Sequence, residues 1–491
     1  MKRLFALALF AASPAPAETI EEMIPAIDKI MGDYQQTAPQ PGMVYGIVRK
    51  GRLIHARGFG VQDPQAPRPV TADSLFRIAS MSKAFTAMAV LKLRDEGKLR
   101  LDDPAERHVP EMRGWTYPTS DSPRISIRDL ITHTAGFVED NPWGDRQQPM
   151  TEAEFTAVLT RGVPWSRAPG LAMEYSNFGY ATLGRIVRNV SGQSYQGYIG
   201  KAILQPLGMT STTYDIFKSP VERRAIGYRW QEGQWVREPD MADGTFGAMG
   251  GMETSANDYA KWVGFILSAW PARDDAESGP VRRSTVREIV EGANMVSGRM
   301  RSSSFGGTAC RQAAAYGMGW TELDDCDLGR VVTHSGGYPG YGSIVYLLPE
   351  KGVGIFAFSN RTYSAPSAGA WRALMALNAA GALPGRQTPV SPGLAQAYDV
   401  TRSIWTRGNV VDAPLANNFL LDRDAERWKA EIARVKRDVG QCAGAEDIAP
   451  VSAMEGTFTW VCEKGRVRGR VQRAPTPEVT IQALSYTVAT P

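Results

Sequence analysis

Histidine and cysteine are both scarce in this chain, with four of each among 491 residues. His55, His108, His133 and His334 stand far apart, and none is spaced with cysteines or carboxylates as zinc ligands are. No metal or other cofactor is therefore expected. Beyond the first dozen residues no apolar run approaches the roughly 20 residues of a membrane-spanning helix. The chain has no Gly-x-Ser-x-Gly elbow, Walker loop or His-Glu-x-x-His, and no dinucleotide fingerprint behind a strand. Those absences argue against α/β-hydrolases, P-loop enzymes and zinc proteases. Lys and Arg together number 55 against 51 Asp and Glu, a net charge of +4, too near neutral to suggest nucleic acid as a partner.

What is present describes a folded, exported protein. Hydrophobic residues make up 43% and charged residues 22%, and the length exceeds what one core supports, so one large domain and a smaller one are expected. Met1-Lys2-Arg3, the apolar Leu4 to Ala12 and Ala15-Pro16-Ala17 read as a signal peptide over 1–17, cleaved after Ala17. Its loss would lower the charge from +4 to +2 by removing Lys2 and Arg3, and would deliver the protein to the periplasm or the medium. Cysteines suit that compartment. Cys310 lies near Cys326 and Cys442 near Cys462, so two local bridges are the simplest of the three connectivities.

The chemistry starts at Ser80-Met81-Ser82-Lys83, where alone in the chain a serine stands three residues before a lysine. On a helix, positions i and i+3 share a face, which lets the Lys83 amine take the Ser80 proton as the hydroxyl attacks a carbonyl. A lysine does this near neutral pH only when its pKa of about 10.4 is lowered. Tyr175-Ser176-Asn177 is the single Tyr-x-Asn and His334-Ser335-Gly336 the single His-x-Gly. Both follow Ser80 in order.

This ordered set resembles the penicillin-recognising serine hydrolases, nearest to the branch of class C β-lactamases, D,D-peptidases, D-aminopeptidases and related esterases. Phe76-Arg77-Ile78-Ala79, Leu130 to Gly136, Pro206-Leu207-Gly208-Met209 and Gly250-Gly251-Met252 extend the likeness over roughly residues 20 to 380. The resemblance implies Ser80 as nucleophile, with Lys83 as base, alone or shared with a Tyr175 whose pKa is lowered by neighbouring cations. It implies that Asn177 holds the substrate's acyl-side amide, and that His334, with Ser335, Gly336 and Gly337 after it, binds a substrate carboxylate or steers a proton. The backbone N–H groups of Ser80 and Gly337 would form the oxyanion hole. It also implies a fold: an antiparallel sheet flanked by helices beside a mostly helical lobe, with the site in the cleft between. Substrates would be small molecules or peptides, possibly derived from cell wall; oligomeric state stays open. The histidine that opens the third motif favours D-peptidases over class C β-lactamases, which carry lysine there.

Local patterns fill in an α+β architecture. Met43 to Gly60 reads as a hairpin about Lys50-Gly51, and Ser80 to Glu96 as a helix stopped by Gly97. Thr151 and Ser255 open helices through capping boxes. Tyr316 to Trp320, Val331 to His334, Ser343 to Leu348 and Val353 to Phe358 are expected strands. The enzyme domain is placed at 18–380, a Pro/Gly-rich linker at 381–394, and a small α+β domain at 395–491, helical over Leu415 to Val439 and stranded over Met454 to Val488. Arg466, Arg468 and Arg470 would share one strand face, either a solvated surface or a site for an anionic envelope ligand.

Overall fold

The computed structural model describes residues 18–445 and 447–489; the expected signal peptide, 1–17, lies outside them. The chain divides into two compact units. Among the described residues, one comprises 18–267 with 288–384, the other 268–287 with 385–445 and 447–489.

The first unit is built on an eight-stranded antiparallel sheet. Its strands are β1 (Gly42–Arg49), β2 (Arg52–Gly60), β3 (Asn294–Met300), β4 (Arg311–Tyr316), β5 (Thr321–Asp325), β6 (Gly329–Tyr338), β7 (Tyr341–Leu348) and β8 (Val353–Ser359), in spatial order β2-β1-β8-β7-β6-β5-β4-β3. β7 and β8 are buried along their whole length, because both sheet faces are covered; that is why these strands read as continuous apolar runs. On one face, Tyr45, Ile47, Ile355 and Ala357 join residues of helices α1 (Ile20–Thr37) and α6 (Ser367–Ala379) in a single core. On the other, Tyr259 of α5 (Ala256–Leu267) meets the rings of Phe356 and Phe358 at 5.2 and 5.3 Å. α1 begins at a capping box between Thr19 and Glu22, a Thr-x-x-Glu signal the motif reading passed over.

The helical lobe carries α2 (Lys83–Asp95), α3 (Glu152–Arg161) and α4 (Asn177–Ser191). Ten residues of α2 are buried, from Lys83 to Leu93; a helix apolar nearly all round is an interior helix. Phe85 stacks on Trp262 of α5 with centroids 4.0 Å apart. The expected capping boxes at Thr151 and Ser255 are formed in part or whole: Thr151 exchanges bonds with Glu154, and Ser255 Oγ accepts from Asp258 N.

Two local expectations change. Ser80 lies in a 3₁₀ turn, Ala79–Ser82, that precedes α2. Tyr316 to Trp320 is not a strand: Tyr316 ends β4, Gly317 N bonds Trp320 O at 2.8 Å, and the chain turns before β5. Gly319 makes that turn possible. Its φ is +79°, and a Cβ there would lie 3.0 Å from Ala84 Cα at the start of α2.

The second unit packs α7 (Pro392–Arg407) and α8 (Ala425–Val439) on a sheet of β9 (Cys442–Ala445), β10 (Glu455–Cys462), β11 (Gly465–Arg473) and β12 (Ile481–Ala489), with Ala449–Pro450 bridging to β10. α7 starts inside the stretch read as linker, because Ser391-Pro392 is a helix start: Ser391 Oγ accepts from Leu394 N and proline sits at the first turn. The helix expected over Leu415 to Val439 covers only its second part, capped by Asp424. Along β11, Arg466, Arg468 and Arg470 are exposed while Val467, Gly469 and Val471 are buried; Arg470 pairs with Glu455 at 2.5 Å. Both bridges, Cys310–Cys326 and Cys442–Cys462, are formed. Among the described residues no helix is long and apolar enough to cross a membrane.

Candidate active site

Ser80 opens onto a pocket of about 510 Å³ that is also lined by Asn141, Asp145, Tyr175, Tyr316, His334, Ser335, Gly337 and Tyr363. The 3₁₀ turn that holds it is strained at Ala79, whose φ is +48°, a conformation kept by the surrounding contacts. Strand β6 presses against this turn. A Cβ on Gly336 would lie 2.3 Å from both Ile78 O and Ser343 Oγ, so the third motif needs glycine there for close approach and not for pocket lining. Ser335 and Gly337, on either side, do line the pocket.

Lys83 is fully buried at the base of Ser80. Its Nζ lies 3.0 Å from Ser80 Oγ, 2.7 Å from Asn177 Oδ1 and 2.7 Å from Met249 O. The last two are pure acceptors. The Asn177 amide is oriented by its own Nδ2, which donates to Asn141 Oδ1 at 2.7 Å. A neutral amine has two N–H donors and one lone pair; with both donors on Asn177 and Met249, the lone pair faces the Ser80 hydroxyl. Burial lowers the Lys83 pKa to about 7, against the opposing pull of Asp145 and Asp140. Sequence and structure thus agree on what a lysine base requires.

Tyr175 hydrogen-bonds Ser80, but burial drives its pKa up, well above the usual tyrosine value. The expected lowering by neighbouring cations does not occur, because burial, then Tyr316, Asp145 and Asp140, raise the Tyr175 pKa. In the free protein Tyr175 is thus a phenol, and of the two groups beside Ser80 Lys83 is the one whose pKa is lowered. Asn177 is fully buried with both ends of its amide engaged. It meets Lys83, and Asn141 is the amide that lines the pocket.

His334 is 6% exposed, and burial, then the nearby Lys83, lowers its pKa to about 4. Nδ1 lies 2.6 Å from Ser335 O and Nε2 3.2 Å from Tyr316 Oη. Since a carbonyl only accepts, Nδ1 carries the proton and Nε2 accepts from the Tyr316 hydroxyl. A neutral imidazole of this kind brings no positive charge to a substrate carboxylate, and it does not titrate near 6.5.

Other residues shape the site from outside the three motifs that carry Ser80, Tyr175 and His334. His133, with φ +60°, accepts from Ser176 N through Nδ1 at 3.2 Å, and its ring lies 4.4 Å from that of Tyr175; it fixes the Tyr175-Ser176-Asn177 turn and stays neutral because burial lowers its pKa far below 6.5. Its place in the Leu130 to Gly136 segment was the available signal. Asp140 accepts from Asn177 N and Phe178 N, both at 2.8 Å, and so caps α4 together with Ser176. Replacing Asp140 with alanine leaves two buried donors of α4 unpaired and should destabilise the protein by about 2 kcal/mol, read as a lower denaturation midpoint. An unchanged midpoint would show that Ser176 suffices.

Comparison with known proteins agrees with this geometry. The Beta-lactamase family model matches residues 27–380. Protein flp of Staphylococcus aureus (strain N315) is 31% identical over 336 residues, 68% of this chain and 62% of that protein. Penicillin-binding protein 4* of Bacillus subtilis (strain 168) is 26% identical over 308 residues, 60% of this chain and 62% of that protein. The chain thus spans somewhat under two thirds of the length of these relatives. Among solved structures, the octameric penicillin-binding protein homologue from Pyrococcus abyssi aligns with TM-score 0.60 and 22% identity over 92% of this chain and 96% of its own. A class C beta-lactamase aligns with TM-score 0.58 and 22% identity, over 72% and 96%. With the sheet, the lobe and the Ser80–Lys83–Tyr175 cluster in place, the family match settles the affiliation: this chain belongs to the beta-lactamase family.

Proposed function

We propose that the chain is an exported serine hydrolase that forms an acyl-enzyme on Ser80 and cleaves amide or ester bonds next to D-amino acids. The observation that carries the hydrolase reading is the contact of Lys83 Nζ with Ser80 Oγ at 3.0 Å, with the other Lys83 partners both acceptors. In the first step the Ser80 Oγ–C bond forms at the substrate carbonyl while the Ser80 proton passes to Lys83. The carbonyl electron pair moves onto oxygen, which the N–H groups of Ser80 and Gly337 receive. When the pair returns, the bond to the leaving nitrogen or oxygen breaks, and that atom takes a proton from Lys83, directly or through the Tyr175 hydroxyl. Water then repeats the sequence on the acyl-enzyme, regenerating Ser80.

Export rests on the basic, apolar and Ala-x-Ala pattern of residues 1–17, with two disulfides in support. The D-peptidase assignment rests on histidine, in place of lysine, at the head of the third motif. Ester hydrolysis has an observation of its own in its favour: neutral His334 and uncharged Tyr175 suit an uncharged substrate. A sensor that acylates once and stops is the rival of another kind. Incubation with a D-alanyl ester and with 4-nitrophenyl acetate separates these readings. Product far beyond one equivalent per protein, with a transient mass increase on the Ser80 peptide, is expected. A single equivalent that persists would establish the sensor, and turnover of the acetate alone would establish the esterase.

A further inference from the structure

The pocket beside Ser80 has one carboxylic acid among its lining residues, Asp145, and no lysine or arginine. Asp145 is 3% exposed. Its Oδ2 accepts from the Tyr363 hydroxyl at 2.9 Å; among the described residues no group donates to Oδ1. The carboxyl is also fixed in place from two sides. The preceding Gly144 lies so close to α4 that a Cβ there would sit 2.8 Å from Asn177 Cβ, and the Tyr363 ring lies 2.8 Å from where a Gly337 Cβ would stand.

The charged groups that face Asp145 are Lys83, Asp140 and Arg146. Burial raises the Asp145 carboxyl above its usual range, opposed by the Tyr363 hydroxyl and by Lys83. In the state that can attack a carbonyl, Lys83 has given up its proton and no longer offsets the carboxylate. Arg146 is exposed, with Nη1 on Pro142 O at 3.2 Å and Tyr363 Oη at 3.4 Å, outside the pocket lining. His334 is neutral. The pocket therefore presents a buried carboxyl, one oxygen of which takes no donor from the described residues, in a cavity lined by no cation of its own. A bound cation there would pair that oxygen and favour the ionised form of the carboxyl.

We infer that Asp145 determines specificity in this pocket, selecting substrates that carry an ammonium group close to the scissile carbonyl over those that carry a carboxylate. The inference rests on the reading of Ser80 as an acylating nucleophile and names the substrate class of that site. It places the substrate's charge opposite to the carboxylate that a charged histidine in the third motif would have bound.

Three matched anilides test it on the full chain at pH 7, where an α-amino group with pKa about 8 is mostly protonated. D-alanyl-4-nitroanilide carries the ammonium, its N-acetyl form is neutral, and its N-succinyl form is an anion. For the wild type, kcat/KM should fall in that order, with the ammonium substrate at least about tenfold above the acetyl one, well within what a single partly desolvated charge pair supplies. Asp145→Asn keeps the shape and the acceptor for Tyr363, and should bring the ammonium-to-acetyl ratio to about one. That ratio is insensitive to a general loss of folded protein, and the wild-type order decides the matter even if the variant does not fold. No order among the three, an unchanged ratio in Asp145→Asn, or preference for the succinyl substrate, which would give the role to Arg146, overturns the inference. With 4-nitrophenyl acetate as a fourth substrate the two readings separate. Product from the acetate with no order among the anilides removes only the charge preference, whereas no Ser80-dependent product from any of the four removes the hydrolase reading and the preference with it.

Discussion

Replacing Ser80 with alanine is expected to abolish covalent labelling by a fluorophosphonate or by benzylpenicillin and to lower ester turnover by about 10⁴-fold or more, since among the described residues that line the pocket only the Ser80 hydroxyl is hydrogen-bonded to the Lys83 amine. Ser82 is the natural control. It lies two residues away, but its side chain is fully buried, donating to Ala79 O at 2.7 Å and accepting from Met252 N at 3.2 Å. Ser82→Ala should therefore cost about 1 kcal/mol of stability through lost hydrogen bonding and still label at Ser80. Ser80 differs in having the Lys83 amine on one side and the pocket on the other. Label retained on the Ser80→Ala protein would move the nucleophile elsewhere and remove the basis of the proposed mechanism.

The residues legible in the sequence are those whose spacing the chemistry itself imposes. Ser80 and Lys83 stand one turn apart, as sharing a proton would require, and Tyr175 and Asn177 flank the Ser176 cap at the start of α4, so their motifs survive in one dimension. The hairpin about Lys50-Gly51 and the strands β6 to β8 were equally visible, because turn glycines and β-branched runs are local signals. What escaped depends on tertiary placement. Asn141 lies in an irregular loop and Asp145 in a single 3₁₀ turn, Gly144–Arg146, too short to show periodicity, and Gly144 packs closely on Asn177 there. Met249 acts through a backbone carbonyl, to which its side-chain identity is indifferent. The enclosure of His334 escaped for the same reason: only the fold sets it within β6 against Tyr316 and near Lys83. Likewise, nothing in the composition of 268–287 marks it as part of the second unit; Arg386 donating to Trp270 O is a tie between segments more than a hundred residues apart.

Lys83 carries the second large effect, and its buried amine makes a claim about pH as well as rate. Lys83→Ala should lower kcat/KM by about 10³- to 10⁴-fold, the range for removing a positioned base. Lys83→Arg should be no better, because a guanidinium does not release its proton in this range. In the wild type, kcat/KM should rise with pH through the Lys83 value of about 7 and then level off, since the attacking form is the neutral amine. The same depressed pKa fixes the sign of a stability effect. Below about pH 7 the lysine is charged in both folded and unfolded chains, and the folded state bears the cost of a buried ammonium. Between about 7 and the ordinary value of 10.5, the unfolded chain holds a proton that the folded one has released, so stability rises with pH across that window. Lys83→Met removes the titration, and the melting temperature of the wild type should therefore gain on that of the variant as pH is raised from 6.5 to 9. A rate profile flat from pH 6 to 9, together with a constant difference in melting temperature, would mean that Lys83 keeps its proton in the folded protein; the base would then have to be sought at Tyr175, where a phenolate stabilised by that ammonium could take the Ser80 proton.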